Sequence, residues 1–397
     1  MLIRLVSLIT LSALLAACNQ KAATELSPQS VLASCQKALA AKDNNTAAND
    51  CLFAQLWLAH VQPESSSHAE SLTALGDYLL NSNVKAAGEN YQKALVIQEK
   101  LVQDPAQLTQ LELKLAKTYS LSGQWPAAEL ALKKVLRQLD AGKDKDTLEI
   151  ADVLNRLGVV ELQQKLLADA EQALRRSLTI REAHMNASDA GLGETYNNLG
   201  YMYEAMGRTV DADGFYRKAI ANQESAAEPR YQALYDALTN LAALLQKQGK
   251  LQESEPVWKK LLTVAETGFG KDSVQYATAL NNLGLLGLAA RNYPAAEKFL
   301  QEASTICEKK LGINNLLTAE VANNLAVALA NQDKHSQAEA PMRQSAATTQ
   351  ALLGANSSLA QQRWSSLINL ENSLGVRSVA AGQKQPVPAS NSKGGRK

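Results

Sequence analysis

A four-residue motif recurs along this 397-residue chain at constant spacing. Its copies begin at positions 155, 197, 239, 281 and 323 and read NRLG, NNLG, TNLA, NNLG and NNLA. Each step is 42 residues, and Leu115-Ala116 and Leu367-Ile368 extend the series by one step in each direction. An earlier copy, Leu75-Gly76, lies 40 residues before Leu115-Ala116. A fixed period of this length predicts a repeat array in which neighbouring units share one core.

Small and large side chains recur inside each repeat. The motif ends in Gly or Ala, a second small residue follows at positions 128, 170, 212, 254, 296 and 338, and a larger residue stands four positions later. Small sites let two helices approach closely and large residues fill the gaps, so each repeat is predicted to be a helix pair. The turn inside the pair is predicted at Gly123, Lys165, Gly207, Gly249, Arg291 and Asp333. Repeats are predicted to end at Gly270, Gly312 and Gly354, followed by the N-caps Ser273, Asn315 and Ser357.

This pattern resembles the tetratricopeptide repeat, and its 42-residue period is similar to the kinesin light chain type of that family. The resemblance covers residues 69–376 and implies an all-α, right-handed superhelical solenoid of antiparallel helix pairs, with about seven repeats and a C-terminal capping helix. The position four before the Gly/Ala site matches the family's bulky contact between repeats, at Leu154, Tyr196, Leu238, Leu280, Ala322 and Trp364. The first repeat departs from the pattern, because Ala87, Tyr91 and Ala94 fit only if its turn is one residue shorter.

The N-terminus reads as a secretory signal. Arg4 precedes an apolar run from Leu5 to Ala17, which is too short to span a bilayer stably. Residues 15–18, Leu-Ala-Ala-Cys, resemble the lipobox of bacterial lipoproteins, in which the Cys is acylated after cleavage before it. The resemblance implies a signal peptide at 1–17 and a lipid on Cys18, and Asn19 favours the outer membrane, facing the periplasm. The alternative is a plain signal peptide with an incidental cysteine.

Residues 18–62 are predicted to form a helical hairpin that turns at Asp43-Asn44-Asn45. Cys35 and Cys51 lie at nearly the same height on its two antiparallel helices, so a disulfide between them is allowed in the oxidising periplasm. The alternative is two small buried thiols. Cys307 has no partner and no neighbouring His or Asp, so it is interpreted as structural.

Composition and motifs exclude several classes of function. The net charge of +1 gives no global field that would favour nucleic acid. Four scattered histidines show no metal-ligand spacing, and HExxH, Walker, GxSxG and CxxC motifs are absent from the sequence. Most acidic residues are expected to lie on solvated faces or in i,i+4 pairs. No catalytic residue, metal, cofactor or small-molecule substrate is therefore predicted.

The binding residues are predicted on the first helix of each pair, which lines the concave face in this repeat family. The position two before the Gly/Ala site carries Asn198, Asn240, Asn282 and Asn324. An amide both donates and accepts hydrogen bonds, so a stacked series could bind the backbone of an extended peptide. Alternatively, each Asn bonds only to a neighbouring helix and fixes the register between repeats.

The same face is basic nearer the N-terminus, where Lys114 and Arg156 occupy the equivalent position beside Lys117 and Asn155. These four residues partly resemble the basic clamp with which some co-chaperones of the family hold a peptide carboxylate. The alternative is an ordinary solvated surface. Glu194, Asp236 and Glu320 border the Asn-bearing repeats, which predicts a neutral to acidic groove there.

Residues 377–397 carry five basic and no acidic residues and are predicted to be a disordered tail, either solubilising or in contact with an anionic surface. The sequence thus predicts a lipid-anchored, non-catalytic adaptor that binds a protein partner's extended segment. An association with an envelope machine follows from family analogy alone. The alternatives are an envelope enzyme or polysaccharide-processing factor built on the repeats, and an oligomerising structural lipoprotein.

Overall fold

The structure is a computed structural model that describes residues 27–101, 105–142, 146–186 and 189–375. These described residues form seventeen α-helices and no strand. The chain divides into two compact units after His184, and each unit is considered by itself. Cys18, the predicted signal peptide at 1–17 and the predicted tail at 377–397 lie outside the described residues.

Unit 1 consists of four helix pairs. Consecutive helices pack against each other throughout. The first pair is the N-terminal hairpin, and the next three are repeats. The helices are α1 (Pro28–Ala40), α2 (Asn44–Val61), α3 (Ser66–Leu79), α4 (Val84–Leu101), α5 (Pro105–Leu121), α6 (Trp125–Asp140), α7 (Leu148–Gln163) and α8 (Leu167–His184).

Unit 2 consists of four further repeats and one last helix, which packs against the second helix of the fourth repeat. The helices are α9 (Ala190–Ala205), α10 (Thr209–Ser225), α11 (Tyr231–Lys247), α12 (Leu251–Phe269), α13 (Val274–Ala289), α14 (Tyr293–Leu311), α15 (Leu316–Ala330), α16 (His335–Leu353) and α17 (Ser358–Ser373). Both units are all-α stacks of helical hairpins.

The turn inside each repeat has the geometry that the sequence predicts. All six predicted turn residues have positive φ, between 57° at Arg291 and 75° at Gly207. The N–H after each of them returns to a carbonyl five residues back, as from Gln124 to Tyr119 at 2.8 Å, which ends the first helix in a Schellman-type turn. The first repeat has no left-handed residue in its turn, where the N–H of Asn83 bonds to the carbonyl of Leu79 at 2.7 Å. Its turn is therefore the shorter one.

Repeats are joined by a second recurring turn. Gly270, Gly312 and Gly354 have φ of 86°, 76° and 86°, which favours glycine at these helix ends. The next helices begin at Ser273, whose hydroxyl accepts from the N–H of Tyr276 at 3.1 Å, and at Asn315, which accepts from Leu317 at 2.8 Å. Ser357 is the N-cap residue of the last helix, as predicted, but its side chain makes no such bond.

The two helices of a repeat touch where a glycine meets a large side chain. A Cβ added at Gly200 would lie 2.6 Å from the Tyr216 ring, and one at Gly158 would lie 2.5 Å from Cγ of Leu174. Between repeats, the predicted contact residues Leu154, Leu238, Leu280 and Ala322 are buried, whereas Tyr196 and Trp364 are half-buried. Within each unit, the core therefore runs inside each hairpin and on to the next one.

The N-terminal hairpin is covalently joined. Cys35 of α1 and Cys51 of α2 form a disulfide with a Cα–Cα distance of 4.8 Å, and both residues are fully buried. Cys307 is buried in α14, and burial raises the pKa of its thiol to about 11. A thiol that stays protonated in an apolar setting is a structural residue.

One repeat offers a matched test of the close approach. Gly200→Ala places a methyl group against Tyr216, and overpacking of this kind costs about 1–3 kcal/mol. Gly214→Ala, in the exposed part of α10, meets nothing within 4 Å and gains up to about 1 kcal/mol of helix propensity. The midpoint temperature of thermal unfolding should therefore be lower for Gly200→Ala and higher for Gly214→Ala than for the unsubstituted protein. Equal midpoints would contradict the packing described here.

Candidate functional site

The first helix of each repeat leaves one side without a packing partner inside its own hairpin, and this side is called the first-helix face. In unit 2 the face is formed by α9, α11, α13 and α15. It carries the predicted asparagines, of which Asn198, Asn240 and Asn282 are half-buried and Asn324 is buried. The four residues therefore share a face but differ in exposure.

Two of the predicted asparagines bond to an asparagine of the preceding repeat. Nδ2 of Asn240 donates to Oδ1 of Asn197 at 3.0 Å, and Nδ2 of Asn324 donates to Oδ1 of Asn281 at 2.9 Å. The second pair is only 9% and 3% exposed. Because each pair joins first helices of successive repeats, it fixes their register, as the alternative interpretation of the sequence predicts.

Asn282 lies between these two pairs and differs from both. The residue that would receive its amide in the preceding repeat is Thr239, whose hydroxyl instead donates to the carbonyl of Tyr235 at 2.8 Å. Among the described residues, the side-chain amide of Asn282 has no hydrogen-bond partner. Its amide is therefore available to a ligand. The paired amides also keep capacity, since Asn240 uses only one of its two N–H groups in the pair.

Carboxylates lie one to two turns before the amides on the same face. Glu194 is balanced by Arg230 at 2.7 Å, and Asp236 accepts from the amide of Gln232 at 2.8 Å. Neither Asp236 nor Glu320 forms a salt bridge within the described residues. Burial raises the pKa of Asp236, and the negative charge of Glu194 adds to the rise, while the Gln232 bond opposes it. The face is thus neutral to acidic.

In unit 1 the predicted basic residues are not equivalent to one another. Lys114 forms a salt bridge with Asp77, which also accepts a hydrogen bond from the Tyr91 hydroxyl at 2.8 Å. Nζ of Lys114 lies 5.6 Å from the centre of the Tyr91 ring. The charge of Lys114 is therefore already balanced. Lys117 and Arg156 are exposed, and neither has a salt bridge within the described part of the chain. The neighbouring Asn155 is buried and has a polar partner.

Unit 1 also contains an open cleft of about 470 Å³ that the sequence analysis did not identify. Residues of α1, α3, α4 and α5 line it, and its apolar residues are Leu39, Ala74, Ala106 and Leu111. Polar side chains surround them, namely Gln36, Glu70, Thr73, Asp77, Gln98, Gln107, Gln110 and Lys114. In the sequence, the cleft could have been predicted from Gln107 and Gln110 of α5, which are three residues apart and therefore share one helical face.

Three acidic residues are exceptions to the solvated positions expected of most carboxylates. Glu112 and Glu161 are each 2% exposed, and Glu371 is fully buried. Each is neutralised by a cation from a neighbouring helix: Lys134 of the following helix for Glu112, and Lys133 and Arg343 of the preceding helices for Glu161 at 3.2 Å and Glu371 at 2.6 Å. Burial raises the pKa of Glu161 in spite of Lys133. The Glu112 pair lies inside one repeat, whereas the Glu161 pair joins two repeats and the Glu371 pair joins the last repeat to α17.

The described residues contain no group of three or more His, Cys, Asp or Glu placed to hold a metal ion. In the same described part of the chain, no helix has both the length and the apolar character of a membrane span. The features that the site does present are amides, carboxylates and exposed cations on first-helix faces. Such faces define a class of helix-pair repeat proteins that bind other proteins.

Comparison with known proteins places the chain in that class. A family model for the tetratricopeptide repeat matches residues 149–225, 234–309 and 286–351. The chain therefore belongs to the tetratricopeptide-repeat family, as the 42-residue period predicts, and such repeats are protein-interaction modules. No curated protein sequence matches the chain.

Two solved structures with TM-scores above 0.5 show the same fold. The apo form of the quorum sensor NprR from B. thuringiensis is 14% identical, with a TM-score of 0.59, over 87% of this chain and 94% of that one. A STAND signal-transduction ATPase with a tetratricopeptide repeat sensor, from Pyrococcus horikoshii, is 12% identical with a TM-score of 0.60, over 83% of this chain and 50% of that one. BtubC (BKLC) from P. vanneervenii is 20% identical with a TM-score of 0.47, over 62% and 93%.

The buried amide pair and the open amide predict opposite effects on stability. Asn324→Ala leaves Oδ1 of Asn281 buried without its donor, which costs about 1–3 kcal/mol and outweighs the gain of up to about 0.7 kcal/mol in helix propensity. Asn282→Ala removes no bond, so its unfolding midpoint should hold or rise slightly. Thermal unfolding of both single variants decides the matter. A loss of stability in Asn282→Ala as large as in Asn324→Ala would show that Asn282 also fixes the register.

Proposed function

We propose that this chain is a non-catalytic adaptor that binds an extended segment of a partner protein on the first-helix face of unit 2. The observation that carries the proposal is the open amide of Asn282, which lies between the Asn197–Asn240 and Asn281–Asn324 pairs. An extended chain presents alternating backbone donors and acceptors, and an amide side chain can match either. Binding through such groups tolerates many side chains in the partner.

The charges on this face favour a segment with basic residues. Arg230 balances Glu194, but Asp236 and Glu320 have no salt-bridge partner in the described structure. A cation from the ligand beside Asp236 would stabilise the carboxylate that burial and Glu194 now destabilise. We expect affinity to fall as salt concentration rises, because part of the attraction is between exposed charges.

We further propose that the adaptor is lipid-anchored through Cys18 at the outer membrane and acts in the periplasm, where it takes part in assembling an envelope machine. The support is the Leu-Ala-Ala-Cys sequence at 15–18 with Asn19 after it. The buried Cys35–Cys51 disulfide is consistent with an oxidising compartment.

Crosslinking from the face tests the binding site. A photoreactive residue is placed at position 282 and, as a control, at position 214 on the exposed part of α10. After illumination of intact cells, a partner should be captured from 282 and not from 214. For that partner, Asn282→Ala should weaken binding about two- to tenfold, the value of one net hydrogen bond. Capture from 214 alone, or unchanged binding by Asn282→Ala together with Asp236→Asn, would exclude this face.

Fractionation tests the anchor. With Cys18 changed to Ala, the thiol that would receive lipid is absent, so lipid-dependent processing should stop and the protein should no longer carry metabolically labelled palmitate. Loss of the label and of the mature mass, measured by mass spectrometry of the membrane fraction, is the expected result. A Cys18→Ala protein that is processed normally and remains in the outer membrane would contradict the lipoprotein proposal.

A further inference from the structure

Helix α2 of the N-terminal hairpin has apolar residues on two opposite sides from Cys51 onward. Its inner side is the core of the hairpin, where Ala47, Cys51, Ala54 and Leu58 are buried. Its opposite side begins with the exposed Asn49 and then exposes Leu52 at 48% and Leu56 at 39%, one helical turn apart. Apolar residues on the side of a helix away from its core are normally covered by another element, so this part of α2 lacks its cover.

Two aromatic residues border the exposed leucines. Phe53 and Trp57 are half-buried, and their ring centroids lie 5.4 Å apart. Together, Leu52, Phe53, Leu56 and Trp57 form what is called here the α2 patch. Tryptophan beside exposed aliphatic side chains is typical of surfaces that lie at a membrane–water interface, where the ring's polar edge faces headgroups and its body faces acyl chains.

The equivalent helix of the next hairpin differs from α2 in charge. Helix α4 is also 18 residues long and carries five charged residues, at positions 85, 89, 93, 99 and 100. Helix α2 carries one carboxylate, Asp50, which accepts a hydrogen bond from Ser34 of α1, and otherwise only His60 near its end. Over the same length, α2 is therefore less charged than α4.

The chain before α1 indicates what covers the patch. Cys18 lies nine residues before Ser27, the N-cap of α1. Nine extended residues reach about 30 Å at most. Because α1 and α2 are antiparallel and joined at Cys35–Cys51, the start of α1 is level with the part of α2 around Leu58. A lipid on Cys18 thus holds a bilayer within reach of the half of the patch that contains Leu56 and Trp57.

We propose that the α2 patch lies on the surface of the bilayer to which Cys18 is anchored, so that the hairpin is held against the membrane. The inference rests on the proposed lipid anchor. Several acyl chains already supply stable anchoring, so the patch determines the orientation of the hairpin. Its leucines then lie at the boundary between headgroups and acyl chains.

A single synthetic acyl chain makes the patch measurable. In the chain from Cys18 onward, Cys35 and Cys51 are bonded and Cys307 is buried, so Cys18 is the reactive thiol for a palmitoyl maleimide. One acyl chain binds a membrane only marginally, so the added contribution of the α2 patch to membrane binding can be measured. Partitioning onto vesicles of phosphatidylethanolamine and phosphatidylglycerol should be about ten- to a hundredfold stronger for the unsubstituted protein than for Leu52→Gln/Leu56→Gln.

The control removes exposed apolar residues elsewhere. Leu130→Gln/Val210→Gln changes side chains that are 67% and 85% exposed and should partition like the unsubstituted protein. Equal partitioning of both double variants overturns the proposal. So does a concentration-dependent dimer in sedimentation that Leu52→Gln/Leu56→Gln dissolves, because the patch would then bind a second copy. All variants change exposed positions, and matching thermal unfolding verifies their fold.

This measurement is independent of the natural lipid, since the acyl chain is attached in vitro. Normal processing of the Cys18→Ala protein would contradict the lipid anchor. It would not change the ratio of vesicle partitioning between the acylated unsubstituted protein and Leu52→Gln/Leu56→Gln. A failed partition experiment with a labelled, membrane-bound Cys18 in cells would contradict the patch and leave the anchor standing. Partner capture from position 282 tests neither of them.

Discussion

The close approach of two helices at a small residue, glycine or alanine, is the constraint on which each repeat depends. With no Cβ at Gly200, the ring of Tyr216 lies directly on the backbone of α9, and its hydroxyl reaches across to donate to Glu204 at 3.0 Å. The first repeat has the same arrangement with Gly76 and Tyr91, whose hydroxyl donates to Asp77. The side chain that fills the hairpin therefore also positions a carboxylate on the first helix. Packing and surface charge are coupled inside a single repeat.

Some contacts between repeats are made by charged side chains at a position that is apolar or aromatic in other repeats. The position three after the small site holds Tyr203 and Leu245 in two repeats but Glu161 and Glu371 in others, and both carboxylates are buried. Each is matched by a cation 28 residues earlier, Lys133 or Arg343. Removing one member of such a pair leaves a buried charge without compensation, whereas an apolar pair would tolerate change better. These junctions therefore specify which helix follows which.

Features that depend on backbone geometry, such as the turns, were predicted correctly from the sequence. The role of a polar side chain was not, because it depends on which residue of another repeat the side chain contacts. The 42-residue period located the left-handed turns, including Lys165 and Asp333, since a Schellman turn needs that conformation whatever the residue. It placed the asparagines on one face but could not tell that Asn324 is buried in a pair while Asn282 is open. The signal was present at a spacing of 43, where Asn281 precedes Asn324 but Thr239 precedes Asn282. Lys114 was interpreted either as a contact for a ligand carboxylate or as part of a solvated surface, yet Asp77, 37 residues earlier, already binds it.

A face that combines fixed and open amides suits the recognition of an extended chain. The amide pairs are formed before a ligand arrives, so those side chains lose little further freedom on binding, and this ordering cost is one of the main terms that reduce affinity. The carboxylates add selectivity of another kind. Glu194 already has Arg230, whereas Asp236 has no salt bridge within the described residues, so a ligand cation beside Asp236 would offset its repulsion with Glu194. The amides would then accept many backbones, and Asp236 would select among them for those that bring a positive charge.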